Sequence, residues 1–264
     1  MTDKATTLAH AAREAAGSCA LVRDPASFSF LRKAVAAVMT VSGPLSPLAL
    51  FRILRRVAPY TMVPPIGVAF AAQEAAKAAE GGGQIVECGA WMGGTSFAMA
   101  LAQRRRFGRV RAPVWMFDSF KGLPQPDARD GEAAFRLMER QPRPLAVPVD
   151  TVRALRDALG FGESDAPIVP GWFDQTLPQS VAALRAGGGI ALLRLDGDWY
   201  ESTLTALRTL LPLVRVGGVV IIDDYYAWEG CARAVHEVLA AEPVVPRLRT
   251  APGAAGAWFV RAGG

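Results

Sequence analysis

The stretch Ile190–Tyr225, IALLRLDGDWYESTLTALRTLLPLVRVGGVVIIDDY, contains two apolar runs that each end in acidic residues. The runs are Ile190–Leu195 and Val219–Ile222, and a helical pattern lies between them. Strands that alternate with helices predict a parallel sheet, and such sheets bind ligands at the carboxyl ends of their strands. The carboxylates that the two strand ends deliver to this edge are those of Asp196, Asp198, Asp223 and Asp224.

Four carboxylates at one edge of a sheet repel one another unless a cation or shared protons relieve the repulsion. Oxygen-only ligands favour a hard divalent cation, Mg²⁺ above all. A purely structural alternative is that Asp198 caps the following helix and that Asp223 and Asp224 cap the next one. Because capping does not require four acids at two strand ends, we favour a metal site at this edge.

The composition is that of a globular protein with a sizeable core. The chain has 264 residues, of which 51% are hydrophobic and 20% are charged, enough for one large domain or two small ones. The net charge is +5, and the basic residues are scattered apart from a run at 104–106 with Arg109 and Arg111. A short basic run is usually a solvated surface, so we expect no nucleic-acid partner.

Cysteine content and the start of the chain indicate the compartment. Cys19, Cys88 and Cys231 are odd in number and have no paired spacing, which favours a reducing compartment over a disulfide framework. No secretory signal opens the chain, so we expect a cytoplasmic protein. The uncharged stretch 34–50 is short and is broken by glycine and proline, so we expect no membrane span there.

The remaining patterns place the other elements along the chain. The Ala-rich residues 1–20 predict a helix or a frayed end, and residues 1–58 are assigned to a helical segment that packs on a core domain at 59–264. The Pro-rich stretch 142–148 predicts a surface loop. The predicted helices are 28–39, 47–57, 66–80, 95–103, 132–140, 152–159, 180–185, one from Glu201, and 231–240. The predicted strands are 84–88, 114–117, 167–170, 190–195, 219–222, 244–250 and 257–261.

The first strand leads into a glycine-containing turn. VECG at 86–89 is followed by Gly93-Gly94-Thr95, where a helix begins. Glycine lets a backbone approach a ligand closely, and a helix N-terminus favours anionic groups. The pattern is not a regular G-x-G-x-x-G, and tight packing is the alternative interpretation. Asp118 closes the second strand, where an acid can accept hydrogen bonds from both ribose hydroxyls. Without a P-loop lysine, the pattern favours S-adenosylmethionine, with NAD as a weaker alternative.

Six separated motifs follow one another along the chain between Pro59 and the C-terminus. They are PYTM at 59–62, VECG at 86–89, FDSFKGLP at 117–124, GWF at 171–173 with TLP at 176–178, LDGDWYES at 195–202, and GGVVIIDDY at 217–225. On these motifs the chain resembles the macrocin-type O-methyltransferases. These are S-adenosylmethionine- and Mg²⁺-dependent enzymes that methylate sugar hydroxyls on antibiotics such as macrolides and aminocoumarins. Residues 1–58 lie outside the resemblance.

The resemblance implies an α/β fold, namely a doubly wound, Rossmann-like methyltransferase sheet preceded by N-terminal helices. The sheet is expected to be mostly parallel, with a reversed last strand at 257–261. The resemblance also implies a metal bound by Asp196, Asp223 and Asp224, and a catalytic base at Asp198. The residues that it implies for cofactor binding are Thr61, Met62, Glu87, Gly89, Ala90, Trp91, Gly94, Thr95, Ser96, Asp118, Ser119, Phe120, Gly171, Trp172, Phe173 and Asp196.

The implied reaction is an in-line transfer of a methyl group from S-adenosylmethionine to a hydroxyl. An aliphatic hydroxyl is a very weak acid, so a divalent cation bound to two neighbouring hydroxyls would act as Lewis acid and template. Asp198 would take the proton. The expected acceptor is a glycosylated secondary metabolite with a vicinal diol, and the enzyme is expected to be a homodimer. Alternatives are a catechol-type phenolic O-methyltransferase, a non-catalytic cofactor-binding protein of the same fold, and an NAD-dependent oxidoreductase.

Other notable side chains near the proposed site have structural interpretations. Arg194 is expected to be a solvated or paired charge, and His236 a surface or packing residue. Trp172 and Trp199 would be core aromatics or pocket walls, with Trp172 favoured for the cofactor. Gly197 stands where the family often has alanine, a departure that should matter little.

Overall fold

The computed structural model describes residues 24–140 and 145–263. The predicted helix or frayed end at 1–20 and residues 142–144 of the predicted loop lie outside these ranges. Numbered along the described residues, the helices are α1 Phe28–Thr40, α2 Pro47–Val57, α3 Pro65–Ala78, α4 Gly94–Phe107, α5 Glu132–Arg140, α6 Val149–Ala158, α7 Phe173–Ala186, α8 Tyr200–Leu210 and α9 Glu229–Ala240. The strands are β1 Gln84–Cys88, β2 Val114–Asp118, β3 Ile168–Pro170, β4 Ile190–Leu195, β5 Val214–Ile222, β6 Arg249–Thr250 and β7 Ala257–Val260.

The strands form one 7-stranded sheet in the order β3-β2-β1-β4-β5-β7-β6. Strands β1 to β5 are parallel, whereas β7 runs antiparallel to both β5 and β6. The predicted mostly parallel sheet with a reversed last strand is therefore confirmed.

The register of the central strands brings a glycine and three acids to one edge. Cys88 of β1 pairs with Phe117 of β2 and with Leu195 of β4, and Leu195 pairs with Ile222 of β5. The residues that come next along these strands are Gly89, Asp118, Asp196 and Asp223. Residues far apart in sequence thus meet because their strands end at the same level.

Successive residues of the central strands face opposite sides of the sheet and enter two hydrophobic cores. Ile85 lies in the core that includes side chains of α1 to α4, whereas Val86 and Leu193 lie in the core that includes side chains of α7 to α9. Phe30 of α1 lies in the same core as Ile85. The described N-terminal helices α1 and α2 therefore share this core and pack on α3 and α4, while the boundary drawn between the two parts stays a prediction.

Helix α7 is longer than the sequence pattern indicates. It begins at Phe173 instead of 180 and contains Pro178. A proline inside a helix removes one hydrogen bond and reads as a break in the sequence. Here Leu177 and Leu184 are fully buried, and burial of such side chains is worth about 1.5–3 kcal/mol each. Packing on the sheet thus offsets the missing bond.

Two strands also differ from prediction. Strand β5 begins at Val214, five residues earlier than predicted, and passes through Gly217 at φ 80°. Only Arg249–Thr250 of the predicted strand 244–250 pairs in the sheet. The unpaired part of the predicted strand contains Pro246, which has no N–H to donate. No helix in the described part of the chain is long and apolar enough to cross a membrane.

Candidate active site

A cavity of about 560 Å³ lies at the carboxyl ends of the central strands. The predicted site residues that line it are Thr61, Met62, Glu87, Gly89, Ala90, Trp91, Thr95, Asp118, Ser119, Trp172, Phe173, Asp196, Asp198, Asp223 and Asp224. The fold therefore brings the predicted cofactor, metal and base residues into one cavity. Glu201, Ser202 and Thr205, on the first turns of α8, also line it and were not predicted. Their spacing on one helical face just after Asp198 is the signal that could have revealed them.

Gly94, Ser96, Phe120 and Gly171 were predicted to bind the cofactor but are not among the residues that line the cavity. The Ser96 hydroxyl instead donates to Glu87 Oε2. The Phe120 N–H donates to Asp118 Oδ1 at 2.7 Å, and the Gly171 N–H donates to the Asp118 carbonyl at 2.8 Å. A Cβ on Gly94 would lie 2.3 Å from the carbonyl oxygen of Tyr60. These residues support the residues that face the cavity.

Two backbone N–H groups hold the Asp118 carboxylate. Trp91 donates to Oδ2 at 2.7 Å, and Phe120 donates to Oδ1 at 2.7 Å. Both donors have positive φ, 48° for Trp91 and 54° for Phe120, which is a strained conformation for an aromatic residue. Burial raises the pKa of Asp118, while hydrogen bonds from the N–H groups of Phe120, Trp91 and Ala90 lower it in part. Each carboxylate oxygen keeps acceptor capacity for a ligand hydroxyl.

Asp196, Asp223 and Asp224 form an acid cluster in which one carboxylate oxygen of each lies within 4.8 Å of the others. Burial and the neighbouring carboxylates raise the pKa of Asp224 well above its usual range. Burial raises the pKa of Asp223 to about 6, although Arg194 opposes this shift. The raised pKa values mean that the negative charges of these carboxylates are poorly compensated. A hard divalent cation would stabilise their ionised forms. The chemistry of the acid cluster thus fits Mg²⁺.

Arg194 of β4 lies beneath the acid cluster with 1% of its side chain exposed. Its Nη1 lies 2.5 Å from Glu87 Oε1 and 2.8 Å from Asp196 Oδ2. Its Nη2 lies 2.5 Å from Asp223 Oδ1, but the angles there are those of an ion pair and not of a hydrogen bond. The expectation of a paired charge is met. One guanidinium faces three carboxylates, so it cannot balance them all.

Asp198 lies on the same cavity in an unusual backbone conformation. Its φ is 57°, a region that aspartate tolerates better than most residues. Its N–H donates to Asp224 Oδ2 at 2.9 Å, and the indole Nε1 of Trp228 donates to Asp198 Oδ1 at 2.9 Å. Burial and the charge of Asp196 raise the pKa of Asp198 to about 8, and the Trp228 hydrogen bond lowers it in part. The role of Trp228 was not predicted.

His236 takes no part in this geometry. Its Nε2 lies 2.9 Å from the hydroxyl of Tyr225, and the two rings pack with centroids 5.7 Å apart. The expectation that His236 is a surface or packing residue agrees with this pair.

Comparison with known proteins identifies the family of the chain. The family model described as Macrocin-O-methyltransferase (TylF) matches residues 68–259. The chain belongs to this family. The resemblance inferred from the six motifs is thereby confirmed, and the match extends across the sheet from α3 to β7.

Three curated relatives of the chain are O-methyltransferases by name. The chain is 43% identical over 157 residues to the 8-demethyl-8-(2,3-dimethoxy-alpha-L-rhamnosyl)-tetracenomycin-C 4'-O-methyltransferase of Streptomyces olivaceus. This match covers 59% of this chain and 57% of that protein. It is 38% identical over 170 residues to the demethyldecarbamoylnovobiocin O-methyltransferase of Streptomyces niveus, covering 64% and 62%. It is 31% identical over 159 residues to the mycinamicin III 3''-O-methyltransferase of Micromonospora griseorubida, covering 59% and 59%. Each match spans less than two thirds of the relative.

Solved structures show the same fold. The structure of the O-methyltransferase NovP superposes with a TM-score of 0.67 at 29% identity, covering 89% of this chain and 97% of that chain. The calicheamicin methyltransferase CalS11 superposes with a TM-score of 0.65 at 22% identity, covering 93% and 96%. At that identity the likeness to CalS11 concerns the fold alone.

Proposed function

We propose that this protein is an Mg²⁺-dependent O-methyltransferase that moves the methyl group of S-adenosylmethionine to a hydroxyl of a sugar-like vicinal diol on a secondary metabolite. The observation that carries the proposal is the single cavity of about 560 Å³ that contains both Asp118 and the acid cluster. A methyl donor held at one end can then meet a hydroxyl held at the other.

The surroundings of Asp118 support a ribose at the cofactor end of the cavity. Asp118 keeps acceptor capacity on both oxygens after its two backbone bonds, as two neighbouring ribose hydroxyls require. Gly89, with φ 88°, lets the chain turn sharply at the end of β1. Trp172 also lines the cavity and would pack against the adenine. Membership of an O-methyltransferase family favours S-adenosylmethionine over NAD as the nucleoside.

The acid cluster would hold Mg²⁺ through Asp196, Asp223 and Asp224. The bound cation would supply Lewis acidity to the two oxygens of a diol and fix their orientation. Asp224 is 8% exposed as a residue, whereas Asp196 and Asp223 are partly exposed. The acid cluster is therefore buried on the side of Asp224 and open towards the cavity on the side of Asp196 and Asp223.

Asp198 would act as the general base. As the acceptor oxygen attacks, the bond between this oxygen and the methyl carbon forms and the bond from that carbon to sulfur breaks. The hydroxyl proton passes to Asp198, and neutral S-adenosylhomocysteine leaves. Burial and the charge of Asp196 raise the pKa of Asp198 to about 8. A divalent cation on the acid cluster would lower this pKa, so that Asp198 could be ionised and accept the proton.

The sugar-like acceptor is supported by the names of two relatives. The Streptomyces olivaceus protein is named for the 4'-position of a rhamnosyl tetracenomycin, and the Micromonospora griseorubida protein for the 3''-position of mycinamicin III. The cavity wall formed by Glu201, Ser202 and Thr205 offers polar groups that suit hydroxyls.

The test is a panel of acceptors incubated with S-adenosylmethionine and Mg²⁺ and followed by mass spectrometry. The panel contains demethyldecarbamoylnovobiocin, mycinamicin III, 8-demethyl-8-(2,3-dimethoxy-α-L-rhamnosyl)-tetracenomycin C and a catechol. We expect a mass gain of one methyl group on a glycoside, lost in excess chelator and in Asp198→Asn. Methylation of the catechol alone would favour the phenolic alternative. Binding of S-adenosylhomocysteine with no turnover across a wider panel would favour the non-catalytic alternative.

Two further expectations on the whole protein stay predictions. A homodimer would appear as twice the chain mass in light scattering behind a sizing column. A cytoplasmic location would place the protein in the soluble fraction of its own cells and leave the described thiols, Cys88 and Cys231, reduced. Both cysteines are buried and free in the structure.

A further inference from the structure

Trp228 lies outside the six sequence motifs and makes a direct contact with the proposed base. Its indole Nε1 donates to Asp198 Oδ1 at 2.9 Å. Trp228 immediately precedes α9 and is joined to the acid cluster through its own N–H, which donates to the Asp224 carbonyl at 3.0 Å. The side chain thus reaches from the segment after β5 back to the loop after β4, across 30 residues of sequence.

The Trp228 ring is itself held in place. It packs edge to face on Trp199, with centroids 4.9 Å apart and an interplanar angle of 74°. Trp199 is 1% exposed, and its Nε1 donates to the Pro124 carbonyl at 2.8 Å. Both rings belong to a small hydrophobic cluster with Ala134 and Met138 of α5. An indole that is fixed by packing can fix a hydrogen-bond partner in turn.

Asp198 needs such a partner. It is the residue of the β4–α8 loop with a positive φ, 57°, and a backbone in this region persists only where its surroundings stabilise it. The bond from the Asp198 N–H to Asp224 Oδ2, 2.9 Å long, fixes the main chain. The Trp228 bond fixes the orientation of the carboxylate, because it holds one of the two oxygens at the indole and leaves the other free to accept a proton.

We propose that Trp228 is a positioning residue for the methyl transfer: it holds Oδ1 of Asp198 so that Oδ2 takes the proton of the acceptor hydroxyl. The role rests on the proposed function of Asp198 as base. Trp228 donates its N–H throughout and neither gains nor loses a proton. The proton that leaves the hydroxyl goes to Asp198 as the new oxygen–carbon bond forms and the carbon–sulfur bond breaks.

The contact is tested first without any acceptor. The ¹⁵N-labelled protein has 6 tryptophans, and loss of a signal in Trp228→Phe assigns its indole resonance. We expect this resonance to move upfield in Asp198→Asn, because a neutral amide accepts a weaker hydrogen bond than a carboxylate. The Trp115 indole, which donates to Gln84 Oε1 at 2.7 Å away from the cavity, is the internal control. A Trp228 resonance that does not move overturns the proposal.

The role is tested by a double-mutant cycle. Methyl transfer is measured at saturating S-adenosylmethionine, Mg²⁺ and acceptor in wild type, Trp228→Phe, Asp198→Asn and the double variant. The acceptors are the three named antibiotics of the panel. We expect Trp228→Phe to lower kcat roughly 10- to 100-fold in wild type, with KM values nearly unchanged. In the Asp198→Asn background, Trp228→Phe should lower kcat by less than about 2-fold, because the base that Trp228 positions is gone.

Trp115→Phe is the matched control, since it removes one indole donor and keeps an aromatic ring. It should leave kcat unchanged. Equal losses from Trp228→Phe in both backgrounds would show a general structural role and overturn the proposal, as would unchanged kcat in the wild-type background. A wild-type protein that methylates none of the acceptors would instead contradict the proposed acceptor class, and the indole resonance would still decide whether Trp228 holds Asp198.

Discussion

Arg194 and Glu87 form an ion pair in the interior of the protein, with Arg194 Nη1 2.5 Å from Glu87 Oε1 and each side chain 1% exposed. Burial raises the pKa of Glu87 to about 7, although Arg194 and the Ser96 hydroxyl lower it. Burial lowers the pKa of Arg194, but Asp223, Asp196 and Glu87 together raise it well above its usual range. Arg194 therefore stays charged and joins the cofactor end of the cavity to the acid cluster.

Removal of this charge should destabilise the fold. We expect Arg194→Met to lower the free energy of unfolding by about 3–5 kcal/mol, because it leaves buried carboxylates without their cation. The measurement is chemical denaturation at neutral pH. Arg208→Met is the control, since Arg208 pairs with Glu237 on the surface with 62% and 46% of the two side chains exposed. That change should cost less than about 1 kcal/mol. Equal losses in the two variants would refute a structural role for the buried pair.

Asp118 should determine cofactor affinity. We expect Asp118→Asn to weaken binding of S-adenosylhomocysteine by about 1.5–3 kcal/mol, because hydrogen bonds to a charged acceptor are lost. Isothermal calorimetry measures the effect, and thermal unfolding checks that the fold is retained. Asp157→Asn, at an exposed position with 64% of its side chain accessible, is the control. Unchanged affinity in Asp118→Asn would remove Asp118 from the cofactor site.

Cofactor affinity should also depend on pH. Ribose hydroxyls donate to the ionised carboxylate, so binding favours the charged form of Asp118. Because burial raises the pKa of Asp118 above 3.8, affinity should be full above this raised pKa and fall as the pH decreases through it. The Asp118→Asn variant should lack this decrease in the acidic range. Calorimetry on both proteins over a pH series is the measurement, and parallel curves would contradict the assignment.

The acid cluster should be required for metal binding. We expect Asp224→Asn to raise the Mg²⁺ concentration for half-maximal activity sharply, because a neutral amide replaces a carboxylate ligand. Paramagnetic resonance of bound Mn²⁺ reports the same loss without any acceptor. Asp150→Asn, with 85% of its side chain exposed on α6, should bind Mn²⁺ as the wild type does. Full activity of the wild type in excess chelator would eliminate the metal from the mechanism.

Asp196 and Asp198 should have separable roles. Asp196→Asn should lose metal and acceptor binding together, since Asp196 belongs to the acid cluster. Asp198→Asn should keep metal and cofactor but lose turnover by about 10²–10⁴-fold, as removal of a general base does. Mn²⁺ binding and single-turnover rates distinguish the two variants. If Asp198→Asn lost the metal and kept its rate at saturating metal, Asp198 would be a ligand.

Gly89 should tolerate no side chain. Its φ is 88°, and a Cβ built there would lie 1.7 Å from the carbonyl oxygen of Asp196. Gly108→Ala is the matched control, because Gly108 has a φ of 76° with nothing within 4 Å of the added Cβ. The control should cost about 1–3 kcal/mol from backbone strain alone. Gly89→Ala should cost at least about 2 kcal/mol more, since the backbone at Asp196, just after β4, must move. Similar denaturation midpoints would show that the close approach is not required.

Much of the fold and cavity follows from local sequence. The apolar runs that end at Asp196 and Asp223 predicted two neighbouring parallel strands, because buried strands and strand-end acids leave a pattern over a few residues. Asp118 was placed at the same edge by the same reasoning. The boundaries of α7 and β6 could not be predicted. Packing on the sheet overrode Pro178 in α7, and the length of β6 is set by its register with β7, which a local pattern does not record.

By itself the sequence determined the α/β class, the order of strands and helices, and the carboxylates that meet at one edge. Only the tertiary structure decided how these charges are held. Arg194 pairs with Glu87, which is 107 residues away in sequence, and Trp228 holds Asp198 across 30 residues. Such contacts depend on strand register and on helix packing, which bring distant residues together. No local period of the sequence records them, because periodicity reports the face of an element and not its partner.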